Sequence, residues 1–215
     1  MDTKRLFKTL VFSLTMLFCG ICFSCKDDEG ITKESVSDSF LKSAKSVLRD
    51  SIVLNATAMQ GTVNKTCLDE GCPMKYYFSW KSSDTLNIQI RNFSVGKMPL
   101  RIYFSINVTF MKLNTWEQDE YPEDGWIKFK GYNGVTNYTG ISEDYEDGSG
   151  GSGTVVGYYN ASSHEIEFVT NFNVMNFTAD VYQQKIDTSR MNTFEKDFAQ
   201  YEEDLAQYKK EHGMS

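Results

Sequence analysis

The chain has 215 residues, with 22 lysines and arginines against 29 aspartates and glutamates, for a net charge of −7. Phosphate recognition needs a basic surface, so this balance argues against nucleic acid as a partner. At 40 % apolar and 14 % aromatic residues, the chain is long enough for one domain with a sizeable core.

Lys4, Arg5 and Lys8 precede an apolar run from Leu10 to Phe23. A positive start followed by a short apolar core is the layout of a secretory signal, and the run is shorter than the roughly 20 residues of a membrane helix. Counted from Leu6, it nearly reaches that length, which leaves an uncleaved anchor as the alternative. Ile21-Cys22-Phe23-Ser24-Cys25 resembles a lipobox, in which a small residue precedes the acylated cysteine. The resemblance implies a signal peptide over 1–24 and a lipid on Cys25. Lys26, Asp27, Asp28 and Glu29 resemble the lysine-plus-acid tag of surface-exposed lipoproteins in the Bacteroidetes. That implies an outer-membrane address facing the cell surface, with the periplasmic face as the alternative. Residues 25–36 read as a polar tether.

Phe40, Leu41, Ala44, Val47 and Leu48 recur at helical spacing, with Ser37 or Asp38 as cap, and predict a helix near 38–49. The stretch from Val47 to Met59 could already turn into a strand. Of the five cysteines, only Cys67 and Cys72 lie well inside the mature chain. In an oxidising compartment they are expected to form a disulfide, worth about 2 kcal/mol for so short a loop. A free or metal-bound pair is the alternative. His164 and His212 show no metal-type spacing with the two thiols, so no metal is expected.

The middle of the chain alternates. Tyr76, Phe78 and Trp80 lead through the turn Lys81–Asp84 to Leu86, Ile88 and Ile90, a hairpin with one buried face. Ile102, Phe104, Ile106, Val108 and Phe110 alternate with polar neighbours over a length that crosses a barrel wall. Further strands are expected at 126–131, 154–159, 165–171 and 174–184, the last with Met175, Phe177, Ala179 and Val181 inward. Two acidic loops interrupt them, Glu117–Asp124 and the glycine-rich, mobile Glu143–Gly153. Phe194, Phe198, Tyr201, Leu205 and Tyr208 mark a C-terminal helix, with Asn192 and Glu195 as capping pair and Gly213 as stop. It is expected to dock on the domain of a monomer; a short coiled coil between two copies is the alternative.

The fold expected is mainly β: an antiparallel barrel of about eight strands over 37–189, with a short N-terminal helix and an amphipathic helix over 190–213. This layout resembles calycin-like, lipocalin-type domains. Gly125-Trp126-Ile127-Lys128-Phe129-Lys130-Gly131 and Gly157-Tyr158-Tyr159-Asn160 are similar to segments of small lipoproteins from gut Bacteroidales. The resemblance spans most of 37–185 and implies fold and location, without an activity.

No Gly-x-Ser-x-Gly or Ser-x-x-Lys motif occurs, and His164 falls in a turn. Asp144, Glu146 and Asp147 lack the calcium-loop pattern of the EF-hand. Neither an enzymatic activity nor a cofactor is expected. Trp80 and Trp126 fall inside strands and read as packing; Trp116 lies in an acidic loop and is the candidate for ligand contact. Asp50-Ser51-Ile52 and Asp84-Thr85-Leu86 resemble a Bacteroidetes O-glycosylation signal, which implies modification of Ser51 and Thr85. The function expected is that of a non-catalytic envelope lipoprotein, binding or assisting a small ligand, glycan or protein. A structural protein pairing through its C-terminal helix and a carboxylate-based hydrolase are the rivals. A barrel filled by its own side chains would count against a ligand held inside it.

Overall fold

The computed structural model describes residues 36–96 and 98–214. Cys25, the segment Lys26–Glu29 and the signal segment lie outside the described residues. Val36, expected in the tether, is buried and begins the described domain.

Alternation builds the molecule. Ten strands form one antiparallel sheet among the described residues. They are β1 (Asp50–Gln60), β2 (Val63–Asn64), β3 (Cys72–Trp80), β4 (Thr85–Phe93), β5 (Leu100–Met111), β6 (Trp126–Gly140), β7 (Gly148–Ser149), β8 (Gly153–Asn160), β9 (Glu165–Asn171) and β10 (Phe177–Lys185). The short β2 and β7 are appendages of β1 and β6. The other eight run up and down, each beside the next along the chain. β1 closes the ring by pairing twice: Asp50–Ala56 bonds to β3, and Thr57–Gln60 bonds to β10. The result is the closed, eight-stranded antiparallel barrel expected from the sequence. Closure leaves no long sheet edge open to aggregation.

The inward set is the apolar half of each alternation. On β5 it is Ile102, Phe104, Ile106, Val108 and Phe110, all buried, while Arg101, Tyr103, Asn107 and Thr109 are exposed. The interior is occupied by rings. Trp80 meets Phe110 at 5.3 Å, Phe110 meets Phe129 at 5.6 Å, Phe129 meets Phe168 at 5.9 Å, and Phe168 meets Tyr76 edge-on at 5.1 Å. This string runs from β3 through β5, β6 and β9 and back to β3, across the barrel. Gly157 marks how tightly it is filled. A Cβ there would stand 2.3 Å from the Phe168 Cβ and 2.6 Å from the Phe129 Cζ. Toward the other end, Phe172 packs on Phe93 at 5.9 Å and on Phe104 at 5.4 Å.

Helix α1 (Asp38–Val47) lies at the end where β3 and β8 finish. Ala44 and Leu48 are fully buried there, the Ser43 hydroxyl donates to the Ala161 carbonyl at 2.7 Å, and the Trp80 indole N–H donates to the Leu48 carbonyl at 2.8 Å. Helix α3 (Phe194–Glu211) docks on the wall beside β3. It buries Tyr201 and Leu205, and the Tyr201 hydroxyl donates to the Thr66 carbonyl at 3.1 Å. Its first turn is not capped by Asn192 and Glu195. Thr193 is the N-cap residue, its hydroxyl donates to Asp197, and Glu195 reaches instead to Lys75 at 3.0 Å. Gly213 ends the helix at φ +62°.

Three other expectations are corrected. Cys67 and Cys72 are both free thiols, not a disulfide. Cys72 opens β3 on the inward side and is fully buried, whereas Cys67 sits half-buried in a turn at φ +71°. The alternation that packs Met74 and Tyr76 thus carries Cys72 into the core, where desolvation pushes its thiol far up and leaves it inert. Met175 is 44 % exposed, not inward. Asn173, Met175 and Asn176 all take positive φ and form the β9–β10 turn, so the strand begins at Phe177. The acidic segment 117–124 is only partly a loop, because it contains the end of helix α2 (Thr115–Glu120).

Candidate binding site at the barrel rim

Helix α2 is short, and its start explains why it forms. Asn114 accepts from the Glu117 backbone at 2.9 Å, and Glu117 Oε2 accepts from the Asn114 backbone at 2.9 Å, a reciprocal capping box. The Asn114-x-x-Glu117 spacing was the signal for this helix. The crowd of acids around it concealed the signal.

Alternation on β6, β8 and β9 sends Trp126, Lys128, Tyr158 and Glu167 to the outside wall, where β8 places Tyr158 beside both Lys128 and Glu167. The segment around α2 lies on this row. Lys128 Nζ forms an ion pair with Glu117 Oε1, and the Tyr158 hydroxyl donates to the same oxygen at 3.0 Å. The Tyr121 hydroxyl donates to Glu167 Oε1, while its ring stacks on Tyr158 at 4.3 Å and leans on Trp126 at 4.9 Å. Burial opposes charge on Glu117, but hydrogen bonds from Lys128, the Asn114 backbone and Tyr158 outweigh it and hold its carboxyl below the usual range. Desolvation, followed by the neighbouring carboxylates Glu167 for Tyr121 and Glu117 for Tyr158, pushes both phenols well up, so they remain donors. These polar residues stood outside the sequence-based candidates, because each occupies an ordinary outward strand or loop position.

The pinned helix leaves Trp116 83 % exposed. A groove of about 430 Å³ reaches the same segment at Gln118 and Tyr121, and Trp116 is not among its lining residues. Its lining includes Val36 and Phe40 from the start of the domain, and Leu113, Gln118, Tyr121 and Trp126 from the segment around α2 and the start of β6. Lys112, Glu123 and Asp124 supply charges along it. The arrangement offers apolar ring surface with an amide and charged groups at its margin, which suits recognition.

The remaining sequence candidates do not join this site. Ser51 lies within β1, its backbone opposite Tyr77. Thr85 begins β4 at an exposed turn, where its hydroxyl donates to Asp84 Oδ1 at 3.1 Å. Trp80 is core packing, and Trp126 belongs to the rim wall. His164 sits at φ +59° in the turn between β8 and β9. The glycine-rich segment is tied in place: Asp147 accepts from the Gly140 backbone at 3.1 Å, and Gly150 and Gly151 donate to Thr136 and Asn173. Among the described residues no group of three or more His, Cys, Asp or Glu is placed to hold a metal ion. None of the described helices is long and apolar enough to cross a membrane.

Residues 25–213 match the family described as Domain of unknown function (DUF4903). The chain belongs to that family. The family match opens at Cys25 and takes in the barrel, the rim groove and α3, so these features are parts of one family domain. Comparisons with curated proteins and with solved structures gave no match.

Proposed function

We propose that this DUF4903 protein is an envelope lipoprotein, acylated at Cys25, whose barrel is a non-catalytic scaffold for recognition at its rim. The observation that carries the reading is the contrast between inside and outside. The barrel is filled by its own rings, while Trp116 stands out on a helix fixed by a capping box, an ion pair and stacked tyrosines. Such fixing lowers the ordering cost of binding. The partner is a small ligand, a glycan or a protein, and an exposed indole, which suits the C–H face of a sugar ring, favours the glycan. The outer-membrane surface is the proposed location, and the start of the family match at Cys25 is in keeping with a mature chain that begins there. Pairing of two copies through α3 is less favoured, because Tyr201 and Leu205 are already used against the barrel.

Trp116 is solvated, and Trp126 is buried, so a ligand at the rim should shift the long-wavelength part of tryptophan emission. Titration of the full chain with soluble oligosaccharides and short peptides should yield a ligand that loses about tenfold or more in affinity in Trp116→Ala and Gln118→Ala. Equal affinity in both variants would contradict a rim site. Intact mass of membrane-extracted protein tests the anchor: a diacylglycerol-modified N-terminus at Cys25 is expected, and retention of residues 1–24 would refute it.

A further inference from the structure

Strands β3, β4, β5 and β6 are neighbours in the barrel and contain no aspartate or glutamate, although the chain carries a net charge of −7. They do contain Lys75, Arg91, Arg101, Lys128 and Lys130. Two of these charges are matched from outside the sheet, Lys75 by Glu195 and Lys128 by Glu117. Arg91, Arg101 and Lys130 make no ion pair among the described residues. All three point outward, since their strand neighbours Ile90, Ile102 and Phe129 are buried in the barrel.

Between these cations lies a ladder of amides. Arg91 donates to Gln89 Oε1 at 2.9 Å, Gln89 donates to Asn87 Oδ1 at 2.9 Å, and Asn87 donates to Asn107 Oδ1 at 2.9 Å and to Ser105 Oγ at 3.1 Å. Each amide oxygen in the ladder is taken by the donor of the preceding residue. What the face still offers outward is donors: guanidinium N–H groups, the Lys130 ammonium, the Asn107 amide and the Ser105 hydroxyl. Two aromatic residues flank them, Tyr103 at 39 % and Tyr132 at 59 % exposure. A matching ligand must be anionic, rich in oxygen acceptors, and able to lie flat with C–H surface against rings.

We propose that the outer face of β3–β6 binds an acidic polysaccharide, its carboxylates or sulfates on Arg91, Arg101 and Lys130 and its hydroxyls on the amide ladder. This surface uses none of the rim residues and stands whether or not the rim site does.

The test is affinity electrophoresis and calorimetry on the full chain. The probes are polygalacturonate, heparin, neutral dextran and vesicles of anionic phospholipid. The acidic polymers should retard the protein, dextran should not, and added salt should weaken the effect. The triple variant Arg91→Gln/Arg101→Gln/Lys130→Gln should lose about tenfold or more in affinity. Asn107→Asp, which sets an acid into the face without deleting a cation, should weaken it in the same direction. Lys196→Gln, which removes an exposed cation on α3 outside both surfaces, should bind as the native chain does. The proposal fails if neither acidic polymer binds, if dextran binds equally, if vesicles bind and the polymers do not, or if both sets of variants bind as tightly as the native chain.

Discussion

Asp180 is a half-buried carboxylate on the outer wall of β10, and it makes no ion pair among the described residues. Desolvation first, and then the charge of Glu167, pushes its pKa up to about 6. A carboxyl whose folded pKa lies above its unfolded one favours the native state only when protonated. Its contribution therefore falls as pH rises from about 4 through 6, and at neutral pH the ionised form is a cost. Asp180→Asn should raise stability at pH 7 by about 1–2 kcal/mol and lose that advantage below about pH 4. Urea unfolding at both pH values checks this; an unchanged or lowered midpoint at pH 7 would refute it. Nothing in the sequence distinguished Asp180 from other acids. Its shift comes from burial and from a neighbour on another strand.

Helix α2 depends on Glu117 more than on its own six residues, since a helix of this length is marginal alone. The carboxylate caps the helix, pairs with Lys128 and accepts from Tyr158, and its pKa is held below the usual range. The sign is the reverse of that at Asp180. The stabilisation is present at neutral pH and is lost as pH falls through the lowered pKa. Glu117→Ala should cost about 2 kcal/mol, combining the lost cap with a half-buried lysine left unpaired. Hydrogen exchange across 114–121 should rise by more than exchange in β5; equal protection in native and variant would count against the anchoring role. At this scale the sequence was uneven. Strands with five alternations, such as β5, were legible because sheet period and burial agree. Helix α2 was read as loop because its acids masked the capping box. Met175 was misplaced because three residues with positive φ lengthen the β9–β10 turn, and alternation alone cannot locate a turn.

For the whole molecule, closure and chain order could be expected from even spacing of alternating segments, and the eight-stranded barrel follows them. Whether the barrel is open could not. The same pattern of Phe, Tyr and Ile describes the lining of a cavity and the filling of one, and only ring contacts that span the barrel, Tyr76 to Phe168 and Phe104 to Phe172, separate the two. The disulfide expected at Cys67 and Cys72 failed for a related reason: linear spacing does not show that Cys72 opens a strand and is fully buried while Cys67 stays half-buried in the segment before it. A filled barrel is the reason the proposed recognition lies outside, at the exposed Trp116, in the rim groove and on the acid-free face of β3–β6. That claim is tested most directly by titrating the full chain with N-phenyl-1-naphthylamine, an apolar reporter that fluoresces in dry cavities. The account predicts no saturable uptake at one site per chain. Stoichiometric uptake that is lost when Phe168 or Phe129 is enlarged to Trp would place an open cavity inside the barrel and contradict it.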